Sequence, residues 1–172
     1  MGCPAIARAL TERSYELIDS QDLWRLSEIA RADLADLWHR HPELAERYED
    51  QVICITLAQG AALHYLDGTT GVHDFDIWTF FAERDRPFPA RRQSIQPFGP
   101  SKFGIRRTVD LFGRSLPVPG DTWPTEAVHR YLDHPTTLSA RKLAEKAVIG
   151  LWPSDIFAVA LWTPQPPKKS RP

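Results

Sequence analysis

The stretch from Val52 to Phe81 constrains the fold more than any other part of the chain. Val52-Ile53-Cys54-Ile55-Thr56-Leu57-Ala58 is a short run rich in β-branched residues, which predicts a core strand. Gly60 follows almost at once, and Ala61 to Leu66 predicts a short helix. The turn Asp67-Gly68-Thr69-Thr70-Gly71 closes that helix. A second apolar run, Asp74 to Phe81, predicts the next strand. Strand, glycine turn, helix and strand in so few residues require an α/β (α+β) domain.

Two aspartates interrupt the second strand, in Asp74-Phe75-Asp76-Ile77-Trp78. In an extended chain, residues i and i+2 face the same side, so Asp74 and Asp76 project together, their Cα atoms roughly 6–7 Å apart. Two carboxylates held this way repel one another unless a positive charge sits between them. A hard divalent cation with oxygen ligands, Mg²⁺ or Mn²⁺, meets that need. The plain alternative is a solvated strand end, but Phe75, Ile77, Trp78, Phe80 and Phe81 make this a buried run in which aspartate breaks the local rule.

A third acid, Asp110, lies between Val109 and Leu111 in the run Ile105 to Phe112, which predicts a third strand. Beside the first pair, it would complete a three-carboxylate metal site suited to phosphoryl or nucleotidyl transfer. Taken alone, Asp110 reads equally as a strand-end cap or as the partner of Arg106 or Arg107. Gly60 lets a backbone approach a phosphate closely and tolerates unusual dihedrals. The helix beginning at Ala61 would aim its free N–H groups at that phosphate. An ordinary strand-to-helix turn would use glycine in the same way.

The rest of the chain adds helices and one basic segment. Leu23, Leu26, Ala30, Leu34, Leu37 and Trp38 recur at helical spacing from Asp22 to about His39. Pro42 opens a second, short helix to about Asp50. These form an N-terminal pair, read here as packing on the sheet and otherwise as binding a partner. Thr125 to Leu132 and Ser139 to Ile149 are helical in pattern, and Ile156 to Trp162 fits strand or helix. Residues 82–104 predict a long loop. From Ala82 to Arg107, seven cations stand against Glu83 and Asp85, a local charge of +5 interleaved with Phe88, Phe98 and Phe103. This segment reads either as a cradle for a triphosphate, base or RNA, or as a solvated loop with a few buried rings. Residues 1–20 predict a poorly ordered N-terminus, 21–163 a single domain, and 164–172 a disordered Pro- and Lys-containing tail.

A chain of 172 residues, 42% apolar and 25% charged, suffices for one domain with a real core. Its net charge of −1 gives no global pull toward nucleic acid or acidic membrane. The two cysteines, Cys3 and Cys54, offer neither a disulfide framework nor zinc spacing, and no apolar run reaches membrane-spanning length. A cytoplasmic protein without membrane association is the expectation. Of the histidines, His39, His41, His129 and His134 read as solvated, His64 as structural, and His73 as a neighbour of the acidic site.

The pieces Gly60-Ala61, Asp74-Phe75-Asp76 and Asp110 resemble the nucleotidyltransferase superfamily: strand, small-residue turn, helix, Asp-x-Asp, then a third acid on a later strand. Gly60-Ala61-Ala62-Leu63 and Leu143-Ala144-Glu145-Lys146 look most like the abortive-infection type nucleotidyltransferase toxins. The resemblance covers about residues 50–160. It implies a nucleotidyltransferase-like sheet flanked by helices, Asp74, Asp76 and Asp110 on metal, and Gly60 and Ala61 cradling phosphate. It further implies Lys146 on the triphosphate, with Lys142 as the fallback. Mg²⁺ or Mn²⁺ and an NTP are the implied cofactor and substrate. A tRNA or protein acceptor, and an antitoxin-like partner, are implied as well. Two positions depart from the pattern: Ala61 replaces a Gly or Ser, and Asp155 only loosely matches a later Asp motif. The alternatives are a non-catalytic nucleotide- or partner-binding module on the same fold, and a metal-dependent phosphohydrolase.

Overall fold

A computed structural model describes residues 12–89 and 93–166. The expected poor order of residues 1–11 and the tail 167–172 therefore lie outside the described residues, as do Cys3, Arg91 and Arg92.

The chain opens with helix α1 (Ser20–Arg40) and the short α2 (Pro42–Tyr48). Asp19 caps α1 through a reciprocal box with Asp22, each carboxylate accepting from the other's end of the first turn. Then come β1 (Val52–Ala58), α3 (Gln59–Asp67), β2 (Phe75–Ala82), β3 (Gln93–Pro97) and β4 (Thr108–Leu116). Helices α4 (Pro124–Leu132) and α5 (Leu138–Ala144) precede β5 (Ala147–Trp152) and β6 (Ala160–Trp162). The six strands form one mixed sheet in the order β3-β4-β2-β1-β5-β6. Only the β2–β4 pair is parallel; the other four pairs are antiparallel.

Alternation along the strands sorts side chains onto two faces. Leu57, Phe75, Ile77, Val109 and Ile149 face a core capped by Leu23, Leu26 and Ala30 of α1 and by Ala61 and Ala62 of α3. Trp78, Phe80 and Val148 face the opposite core, under Val128 and Leu132 of α4 and Leu143 of α5. Helices thus cover both faces of the sheet. The sheet needs this because β2 is apolar on both sides.

Several boundaries differ from the expectation. β1 spans the expected residues, while α3 begins two residues earlier than expected. The 82–104 loop contains a strand, β3, paired to β4 from Gln93↔Phe112 to Pro97↔Thr108. The expected helix 139–149 stops at Ala144, and Ala147–Trp152 pairs with β1 as β5. An Ala-Leu-Lys-rich helix running directly into an apolar strand gives no break that periodicity can register. The expected strand 105–112 starts only at Thr108. Residues 12–19, expected to be poorly ordered, form a strap: Ser14 and Val72 exchange backbone hydrogen bonds of 2.8 and 2.7 Å.

His64 is structural, as its place on α3 suggested. It is buried, and its Nδ1 accepts from Gly71 N–H at 2.9 Å. That fixes the tautomer, so Nε2 donates to Glu16 O at 3.0 Å. One imidazole thereby ties the strap and the turn before β2 to α3.

Candidate active site

The three aspartates meet at one end of the sheet. In the parallel β2–β4 pair, Asp76 stands directly opposite Asp110. Asp74 lies just before β2, with the same parity as Asp76. Thr108, two residues before Asp110, links the set: its hydroxyl lies 3.0 Å from Asp74 Oδ1 and 3.4 Å from Asp110 Oδ1. Strand alternation turns all four toward the face that carries Trp78 and Phe112. Spacing alone indicates Asp74 with Asp76. Bringing in Asp110 depends on the parallel pairing.

The electrostatics are those of a site short of positive charge. Burial, then the charges of Asp110 and Asp74, push the Asp76 carboxyl up to about 6, against the pull of Lys146 and His73. Burial and Asp74 also raise Asp110, although the Thr108 hydroxyl and His73 work the other way. Asp74 uses both oxygens: His73 Nδ1 lies 2.7 Å from Oδ2, while Oδ1 faces the Thr108 hydroxyl.

The turn from β1 into α3 closes the other side. Ala58, the N-cap, offers no side-chain hydrogen bond, so the first N–H groups of α3 lack a capping partner. Sequence reasoning assigned the unusual dihedral to Gly60. It falls instead on Gln59, at φ 59°, where a non-glycine residue is strained. Gly60 gives closeness: Lys146 Nζ lies 3.8 Å from where its Cβ would be. The backbone bridge Gln59↔Ala147 sets that approach, since Lys146 leads directly into β5. Lys146 is partly buried, whereas Lys142 is exposed on α5. Asp155 is exposed in the 3₁₀ turn after β5, at the other end of that strand.

Part of this set lines a cleft of about 160 Å³: Arg13, Gln59, Gly60, Ala61 and Gly71 with His73, Asp74, Asp76 and Lys146, while Asp110 and Thr108 are not among its lining residues. Arg13 had no sequence signal, because the strap that carries it makes a single bridge and has no periodicity. Its guanidinium donates to Thr70 O at 3.1 Å.

A divalent cation fits this donor set in chemistry. Carboxylate and hydroxyl oxygens suit a hard ion, and Asp76 is raised first by burial and then by the neighbouring carboxylates, which a cation would offset. The side chains as they stand are not a ready cage: among the described residues no three His, Cys, Asp or Glu groups are gathered closely enough to hold a metal. Asp74 would have to leave His73 or share it.

The basic-aromatic segment, read either as a cradle or as a solvated loop with a few buried rings, matches the second reading in its rings. Phe88, Phe98 and Phe103 are all buried. Lys102 pairs with Asp19 and Asp22. Arg107 donates to Phe103 O, His73 O and Glu12 O at 2.8, 2.9 and 2.7 Å. It therefore holds the strap to the segment before Asp74 and does not pair with Asp110.

No helix is long and apolar enough to cross a membrane among the described residues. No protein-family model matches the chain, and no curated protein matches it. What the acidic cleft can do must be argued from its geometry.

Proposed function

We propose that the protein is a Mg²⁺- or Mn²⁺-dependent nucleotidyltransferase, moving an NMP from an NTP to a hydroxyl of an RNA or protein acceptor. The single observation that carries this reading is the Asp76–Asp110 register on adjacent parallel strands, opposite the uncapped start of α3 and Lys146. Asp74, Asp76 and Asp110 would hold the cation. Bound there, it would neutralise the triphosphate and lower the pKa of the attacking hydroxyl.

The chain's own groups do the rest. Uncapped N–H groups from Gly60 and Ala61 receive phosphate oxygens at a helix start. Lys146 and Arg13 supply positive charge from separate segments, the turn before β5 and the strap. A cleft of about 160 Å³ is below the ~300–1,000 Å³ of a full small-molecule pocket, so it suits the phosphates and leaves sugar and base outside. The acceptor oxygen forms a bond to the α-phosphorus, the bond to the bridging oxygen breaks, and pyrophosphate leaves. The acceptor's proton passes to a carboxylate at the Asp110 end.

The test is transfer of α-labelled NTPs, with Mg²⁺ or Mn²⁺, onto total tRNA and onto cell protein, beside Asp76→Asn. Label that appears with the wild type and disappears with the variant supports the transferase. Free phosphate without transfer points to a phosphohydrolase using water. Neither product from any NTP points to a binding module, the reading that Ala61 and the loose match at Asp155 favour.

A further inference from the structure

A cavity larger than the acidic cleft lies away from the acids. It measures about 480 Å³ and lies at the far end of β4, between the β4 end, the Pro87–Phe88 loop and the α4–α5 connection. Its volume falls within the ~300–1,000 Å³ of small-molecule sites. Leu116, Val118 and Ala127 make its floor apolar. Its polar lining is Arg114, Arg130, Tyr131 and His134 with Thr136 and Thr137, and no acid lines it among the described residues.

Arg114 is the telling residue. It lies on β4, partly buried, and none of the ion pairs among the described residues includes it. Its contacts are Ser139 Oγ at 3.3 Å and the Trp78 ring, 5.3 Å from the guanidinium carbon to the centroid. Its Nε is buried without a hydrogen-bond partner, and so is Tyr131 Oη. Buried polar groups are ordinarily paired, and a cation held from water needs an anion. Two orphaned polar atoms, one of them on an arginine without an ion pair, in the wall of one largely apolar cavity describe half of a binding site. Arg130 differs, because Glu126 already neutralises it.

We propose that this cavity binds a small amphipathic carboxylate, its head on Arg114 and Tyr131 and its apolar body on Leu116, Val118 and Ala127. A guanidinium matches a planar carboxylate, and the floor selects a hydrocarbon or aromatic body over a sugar. The site stands about four residues, roughly 13 Å, along β4 from Asp110 and does not depend on the transferase reading.

The test uses the whole chain with octanoate and 1-octanol as matched probes, titrated by displacement of anilinonaphthalene sulfonate fluorescence and by calorimetry. Saturable octanoate binding is expected, about ten-fold or more tighter than octanol. Arg114→Gln should weaken octanoate by a similar factor while leaving octanol unchanged. Tyr131→Phe, a milder change, should weaken octanoate by a few-fold and keep the thermal midpoint. Asp76→Asn, at the separate acidic cleft, should leave octanoate affinity as it is. Equal affinity for the two probes, no saturable binding, or wild-type octanoate affinity in folded Arg114→Gln and Tyr131→Phe would overturn the proposal.

Discussion

Between Glu83 and Arg107 the chain carries a local charge of +5, seven cations against two acids, while the adjacent ends of β2 and β4 carry three aspartates. In the first region three of the five described cations have found a partner, and Arg86 and Arg106 are exposed to solvent. Lys102 closes on the cap of α1, Arg84 on Asp50, and Arg107 on three carbonyls. The three phenylalanines are core. In the second region the groups are left wanting: Asp76 is raised to about 6, α3 starts uncapped, and Gln59 is strained. Charge density alone therefore did not locate the candidate site. Unpaired charge, held against its own electrostatics, did.

The strongest way to break this contrast is Phe98→Ala. Phe98 is buried against Phe75, ring centroids 4.8 Å apart, with the Arg25 guanidinium carbon 4.7 Å from its own centroid. Removing a buried aromatic costs about 3–5 kcal/mol. Urea denaturation should show that loss, and NTP transfer per folded molecule should not change. A loss below about 1 kcal/mol would mean that the ring is not core, and would reopen its role as a stacking platform.

Asp76→Asn should move stability the other way. The shift from 3.8 to about 6 corresponds to roughly 3 kcal/mol of penalty on the ionised form, and partial exposure of the carboxylate reduces this to about 1–2 kcal/mol. For a carboxyl raised by folding, the sign is clear. Below about pH 4 both states are protonated and there is no penalty. It develops as pH rises and is complete above about 6. With chelator present, Asp76→Asn should therefore melt higher than wild type at pH 7.5, with the gain shrinking toward pH 4. Mn²⁺ should raise the wild-type midpoint and not the variant's, and transfer should fall by about 10²–10³-fold or more. A variant that is less stable at pH 7.5 would show that Asp76 is a structural acid.

The same contrast explains what could be read from the sequence. β1, the Asp-x-Asp strand, Asp110 and the α1 stripe were legible because each is set by local alternation or helical spacing. β3 was hidden: Gln93-Ser94-Ile95-Gln96-Pro97 lacks a β-branched run and is a strand only because β4 pairs with it. β5 was hidden behind the helix it follows. Arg13, Thr108 and Gln59 owe their roles to the strap, the parallel register and the bridge to Ala147, contacts across 50 residues or more for Arg13 and Gln59. Lys146 was found by resemblance, with no local pattern to mark it.

The finest test compares two aspartates nine residues apart. Asp67 ends α3 and differs from Asp76 in being satisfied. Its carboxylate accepts from Thr69 N–H at 2.8 Å, Thr70 N–H at 3.0 Å and the Thr70 hydroxyl at 2.6 Å. Desolvation pushes its carboxyl up, but these hydrogen bonds outweigh it and hold the group at about 2. A carboxyl lowered by folding stabilises above its unfolded value of about 3.8 and loses that contribution as pH falls through about 2. The side chain is exposed, so the contribution is screened to about 0.5–1 kcal/mol. Asp67→Asn should then lower the chemical-denaturation midpoint slightly at pH 7, and the difference should close between pH 4 and 2. Asp76→Asn should be stabilising over the range where Asp67→Asn destabilises. If both substitutions shift stability in the same direction at pH 7, the sign of the shift does not separate an acid that holds a turn from one that awaits a cation, and the case for the β2–β4 end would rest on register alone.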